Sequence, residues 1–153
     1  ICIIQKYSTM KEVHILLVED NEGDIILTTE AFKDMQLENT ISVVRDGEEA
    51  LRFLKKQGEH CGVSTPQLVL MDINLPGIDG KQLLEIIKRD GELRDRPGVM
   101  LTCSDKEADI SDCYDKQVNW YITKPIDYDK YTKVMHEIEA FYVSFVPYHK
   151  EAK

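Results

Sequence analysis

Five short apolar runs, separated by stretches with helical spacing, constrain this chain more than any other feature. The runs occupy residues 13–18, 41–44, 68–71, 99–101 and 118–122, and they are rich in Val, Ile and Leu. Runs so short and so uniformly apolar fit strands buried on both faces, as in a parallel sheet covered by helices. Between them lie amphipathic stripes. Leu27, Ala31 and Met35 recur at four-residue spacing, Ala50, Phe53 and Leu54 form a second stripe, and Leu83, Leu84 and Ile87 a third. Residues 107–116 are a more polar helical segment. A last helix over 127–145 carries Tyr131, Val134, Ile138, Phe141 and Phe145. Turn signals fill the gaps: Asn21-Glu22-Gly23, Asp46-Gly47, Pro76-Gly77, Asp79-Gly80 and Pro97-Gly98. Five strand–helix alternations predict a doubly wound, flavodoxin-like five-stranded parallel sheet of order 2-1-3-4-5 with five helices.

Length and charge narrow the functional classes. A chain of 153 residues is about one domain, large enough to bury a core without disulfides or a structural metal. The expected organisation is one domain over 12–146, preceded by an extension over 1–11 and followed by a tail over 147–153. No separate output module is expected. The formal charge of −9 and the lack of a clustered Lys/Arg run argue against nucleic-acid binding. No apolar run approaches the ~20 residues that span a bilayer, and the opening Ile-Cys-Ile-Ile is too short for a signal-peptide core. The cysteines Cys2, Cys61, Cys103 and Cys113 form no C-x-x-C pair, and the four histidines are scattered. Reduced thiols in a cytoplasmic protein are the expectation.

In open parallel sheets the ligand site lies beyond the carboxyl ends of the strands. The first run is followed by Glu19-Asp20, the third by Asp72, the fourth by Thr102, and the fifth leads into Lys124-Pro125. Each residue alone has an ordinary reading as a turn former, helix cap or surface charge. Together, at four strand ends of one sheet, they predict a single site. Clustered carboxylates repel and call for a cation. Mg²⁺ suits an all-oxygen donor set and leaves coordination positions for a phosphate. A lysine suits a phosphoryl oxygen, and an Asp can act as the nucleophile that accepts a phosphoryl group. Asp72, at the end of the central strand, is the candidate nucleophile, and Glu19 and Asp20 are candidate metal ligands.

The strings LLVEDN (16–21), MDINLPGIDG (71–80), LTCS (101–104) and YITKP (121–125) resemble the signatures of response-regulator receiver domains of two-component systems. The spacing of positions 20, 72, 102 and 124 also matches that family. The stretches LLVEDNEGDIILTTEAF, LTCSDKEADI and YITKPIDYDKY are similar, more narrowly, to single-domain cyanobacterial phytochrome-associated regulators. The resemblance implies that Asp72 is phosphorylated by a histidine kinase or phosphotransfer protein. It implies a Mg²⁺ site of Glu19, Asp20, Asp72 and the Asn74 carbonyl, with Lys124 and Thr102 contacting the phosphoryl group and a cis bond before Pro125. Thr102 and Tyr121 are implied as the switch pair: the threonine hydroxyl moves to a phosphoryl oxygen and the ring swings into the space behind it. Moving such an equilibrium from 1:99 to 99:1 takes about 5.5 kcal/mol, within reach of a few charge-assisted hydrogen bonds. The output is expected through protein–protein contacts, with a homodimer through the fourth helix, fifth strand and fifth helix. The aromatic residues Tyr128, Tyr131, Phe141, Tyr142, Phe145 and Tyr148 motivate that surface. Two departures from the common pattern stand out: Glu19 where many receivers have Asp, and Cys103 where many have a small Ala, expected to hinder or tune the threonine. A phosphatase of the haloacid-dehalogenase type is disfavoured because Asn74 stands where its second Asp is required.

Overall fold

A computed structural model describes residues 12–33 and 38–124, together with Asp129, Lys133, His136, Glu137 and Ala140. The elements in chain order are β1 (Glu12–Val18), α1 (Glu22–Lys33), β2 (Glu38–Val44), α2 (Gly47–Leu54), a 3-10 turn (Gly58–His60), β3 (Leu68–Met71), α3 (Gly80–Arg89), β4 (Gly98–Thr102), α4 (Glu107–Asp115) and β5 (Trp120–Thr123). The strands form one sheet of order β2-β1-β3-β4-β5 with every pairing parallel. The predicted topology therefore holds.

The burial pattern follows from position in the sheet. β3 and β4 are buried along their whole length, whereas edge strand β2 is largely half-exposed. Two cores result, one on each side of the sheet. Leu16, Val18, Val69, Met71 and Met100 pack with Phe53 of α2 and with Leu83, Leu84 and Ile87 of α3. On the other side, Ile15, Leu17, Leu68, Leu70 and Val99 pack with Ile25 and Phe32 of α1. Alternating residues of one strand thus serve opposite layers, as a two-residue side-chain period requires.

Two expectations need correction, and a third is covered only in part. Among the described residues, four α-helices run between defined ends. The expected last helix falls mostly outside those residues, although its five described positions are helical. Trp120 Nε1 donates to Glu137 Oε2 at 2.5 Å, tying β5 to one of them. The α1 stripe is rotated from the expected one: Leu27 is exposed, Ala31 packs half-buried against the core, and the buried face is Ile25, Thr28 and Phe32. Consecutive apolar residues Ile25, Ile26 and Leu27 leave the helical phase ambiguous, and contact with the sheet selects one rotation. β2 also begins earlier than residue 41, at Glu38, because it pairs with β1 from Glu12 onward. Met35, Pro125 and the aromatic residues at 128, 131, 141, 142, 145 and 148 lie outside the described residues.

Two glycines shape the loop after β3. Gly77 has φ of 75°, the left-handed region that disfavours a side chain. Gly80 opens α3 directly against the main chain of Asp72, where a Cβ would lie 2.0 Å from the Asp72 carbonyl oxygen. Asp79 caps the helix through a capping box with Gln82, at 2.8 and 2.9 Å. Gly80 N–H donates to Ile73 O at 2.8 Å, which fixes the helix start beside the end of β3.

Candidate functional site

The residues just past the strands continue the sheet's hydrogen bonding by one step. Glu19 N–H donates to Val44 O at 3.0 Å, Asp72 N–H to Val18 O at 3.2 Å, and Lys124 N–H to Thr102 O at 2.7 Å. Backbone pairing therefore delivers three charged side chains to one sheet edge in fixed orientations.

They meet there. Lys124 Nζ donates to Glu19 Oε2 at 2.7 Å, to Asp24 Oδ2 at 2.9 Å and to Asp72 Oδ2 at 3.1 Å. An ammonium has three N–H donors, so this arrangement uses all of them. Lys124, Glu19 and Asp72 are buried, and Asp24 is half-buried. Carboxylate oxygens of Glu19, Asp24 and Asp72 lie within 4.8 Å of one another.

Asp24 is the member that the sequence reading missed. It sits in the first turn of α1, where an acid reads as a partner of the helix dipole. Asn21 caps that turn, its Oδ1 accepting from Asp24 N–H at 3.0 Å. The cap places the first turn beside the strand end, and this proximity was the available signal. Asp20, expected as a metal ligand, is exposed at the rim. Asn74 is also exposed, and its N–H donates to Asp72 Oδ1 at 3.3 Å.

Burial and charge act in opposition. Burial pushes the Glu19 carboxyl above the usual range, against the hydrogen bonds from Lys124 and from Asn21 N–H, and the Asp72 charge pushes it the same way. Burial alone would lower Lys124, but its bonds to Glu19, Asp24 and Asp72 outweigh that and hold it firmly protonated. Three carboxylates around one ammonium leave an excess of negative charge lined by oxygen. That donor set fits a hard divalent cation with a phosphate in its shell.

The expected switch pair lies beside this cluster. Thr102 is fully buried, and its Oγ1 accepts from Ser104 N–H at 3.5 Å. The Tyr121 ring already packs half-buried against the core, with its hydroxyl donating to Ser104 O at 2.7 Å. Burial pushes the Tyr121 phenol upward, so it stays a donor. Cys103 is exposed, so its side chain is turned to solvent rather than packed on the threonine. A second polar network, also missed in the sequence, reinforces this loop. Lys81 Nζ bridges Asp109 Oδ1 at 2.6 Å and Asp112 Oδ2 at 3.1 Å, joining α3 to α4. The Ser104 hydroxyl donates to Asp109 Oδ2.

Comparisons with known proteins agree with this fold. The response regulator receiver domain family matches residues 15–136. Response regulator Rcp1 of Synechocystis sp. is 38% identical over 132 residues, covering 86% of this chain and 90% of that protein. The solved structure of the phosphorylated cyanobacterial phytochrome response regulator RcpA superposes with a TM-score of 0.75 at 41% identity, covering 87% of this chain and 95% of that one. The Mn²⁺-bound form of Rcp1 gives a TM-score of 0.74 at 37% identity, covering 87% and 96%.

Proposed function

The chain belongs to the response regulator receiver domain family, and on that premise we propose that it is a signalling switch set by phosphorylation of Asp72. The observation that carries this reading is the buried meeting of Lys124 with Glu19, Asp24 and Asp72 at the carboxyl edge of the sheet.

The donor is the phosphohistidine of a histidine kinase or phosphotransfer protein. Asp72 Oδ attacks phosphorus, the P–O bond forms as the P–N bond breaks, and the imidazole leaves. Lys124 offers its fixed charge to a phosphoryl oxygen, and the Thr102 hydroxyl lies one strand away to donate to another. Glu19, Asp20, Asp72 and the Asn74 carbonyl would hold Mg²⁺, which neutralises charge on the transferring group. The Mn²⁺-bound form of the related Rcp1 supports a divalent site here. The phosphoryl group carries about −1.5 to −2 charges and replaces the single charge of the Asp72 carboxylate, a net gain of up to about one negative charge beside Thr102. The response then passes through Ser104 and Tyr121 to the α4–β5 face, where Tyr114 is exposed. Signalling is by protein–protein contact at that face, which the expected homodimer would share with the last helix.

The test is incubation with acetyl phosphate, with and without Mg²⁺, followed on a phosphate-affinity gel. The expected result is a Mg²⁺-dependent shift of the wild type and none of Asp72→Asn. A shift of the Asn variant equal to that of the wild type would overturn the assignment of the acceptor.

A further inference from the structure

The Lys124 ammonium has no spare donor. Its three N–H groups go to Glu19, Asp24 and Asp72, so a phosphoryl oxygen arriving at Asp72 can be bonded only if one of these acceptors is released. The three are not equally costly to release. The Glu19 side chain is 2% exposed, and losing its partner would strand a buried charge. The Asp72 carboxylate is itself the group being esterified and lies 11% exposed. The Asp24 side chain is 30% exposed, so water can replace the ammonium there.

We propose that Asp24 is a positioning residue of this site: it holds the Lys124 ammonium in the resting protein and is the acceptor that Lys124 leaves when a phosphoryl group binds at Asp72. The inference rests on the phosphoacceptor reading above. It assigns to the first turn of α1 a share in setting phosphoryl affinity, through competition for one lysine. Asn21 fixes the competitor in place by capping that turn on the Asp24 N–H. The negative charge of Asp24 thus favours the resting state and opposes loading.

Beryllofluoride serves as the phosphoryl probe, titrated calorimetrically into the full chain at Mg²⁺ concentrations that saturate each variant. Asp24→Asn and Asp24→Ala should each bind it about three- to tenfold more tightly than wild type, the scale of one half-exposed ion pair. Asp24→Glu, which restores the charge, should return toward wild type, a rescue that a purely structural role of the side chain would not produce. Mn²⁺ binding followed by electron paramagnetic resonance, without beryllofluoride, reports the metal site separately. Unchanged beryllofluoride affinity in the Asn and Ala variants would overturn the inference and leave the phosphoacceptor reading intact. Weaker affinity accompanied by lost Mn²⁺ binding would overturn it too, by making Asp24 a metal ligand. A wild type that takes up neither beryllofluoride nor phosphate from acetyl phosphate would overturn the reading itself, and the inference with it.

Discussion

Replacing Lys124 by Met keeps most of the side chain's length and removes the charge that three carboxylates share at 2.7, 2.9 and 3.1 Å. Glu19 cannot rehydrate, because its side chain is 2% exposed. Asp24 can, and Asp72 can in part. Removing one partner of a buried ion pair typically costs about 3–5 kcal/mol. Because Glu19 can escape part of that cost by taking up a proton, the lower end, about 3 kcal/mol, is expected at pH 7. For a chain of this size that lowers the melting temperature by roughly 6–12 °C.

The loss has two signatures that a simple packing defect lacks. The first is pH. Burial already holds the Glu19 carboxyl above its ordinary value of 4.5, and loss of the Lys124 hydrogen bond pushes it further up. A carboxyl raised in the folded state favours folding below its unfolded value, and that contribution is lost as pH rises through the folded value. The deficit of Lys124→Met should therefore widen from about pH 4.5 upward. The second is Mg²⁺, which should stabilise Lys124→Met more than the wild type, since no ammonium competes for the same oxygens. Urea unfolding of both proteins at pH 5 and 7, with and without Mg²⁺, measures all of this. A variant within about 0.5 kcal/mol of wild type at pH 7 and indifferent to Mg²⁺ would refute the reasoning, since that is the spread of an ordinary surface change.

Two further perturbations probe the supports of the site. Gly80→Ala would set a Cβ 2.0 Å from the Asp72 carbonyl oxygen, a backbone atom that cannot turn aside. It should destabilise the fold by about 1–3 kcal/mol and slow labelling by acetyl phosphate, measured by urea unfolding and by phosphate-affinity gel. Lys81→Met removes the bridge from α3 to Asp109 and Asp112. The hydrogen bond from Lys81 holds Asp109 below the usual carboxylate range. Asp112 is held there first by Lys116 and then by Lys81. Carboxyls lowered in the folded state contribute stability above their unfolded values and lose it as pH falls through the folded ones. The urea midpoints of wild type and Lys81→Met should therefore differ at pH 7 and converge toward pH 3.

The sheet was legible in the sequence because burial on both faces leaves a run of Val, Ile and Leu with little room for polar residues, and β3 with its LVLM is the plainest case. The strand-end residues Glu19, Asp72, Thr102 and Lys124 were legible for a related reason: parallel strands all point their carboxyl ends one way, so position at the end of a run already places a residue at the common edge. Tertiary structure alone decided the rest. Helix α1 carries adjacent apolar residues in several phases, and only contact with the sheet buries Ile25 and Phe32 while leaving Leu27 outside. Asp24 looked like a helix-dipole acid until the docked helix set its carboxylate against Lys124, which is 100 positions away. The bridge from Lys81 to Asp109 joins two helices whose spacing no local pattern encodes. A chain's alternation of apolar and polar residues records which face is buried, whereas the rotation and approach of packed helices are settled by the surfaces they meet, and on those rest the partners of each charge.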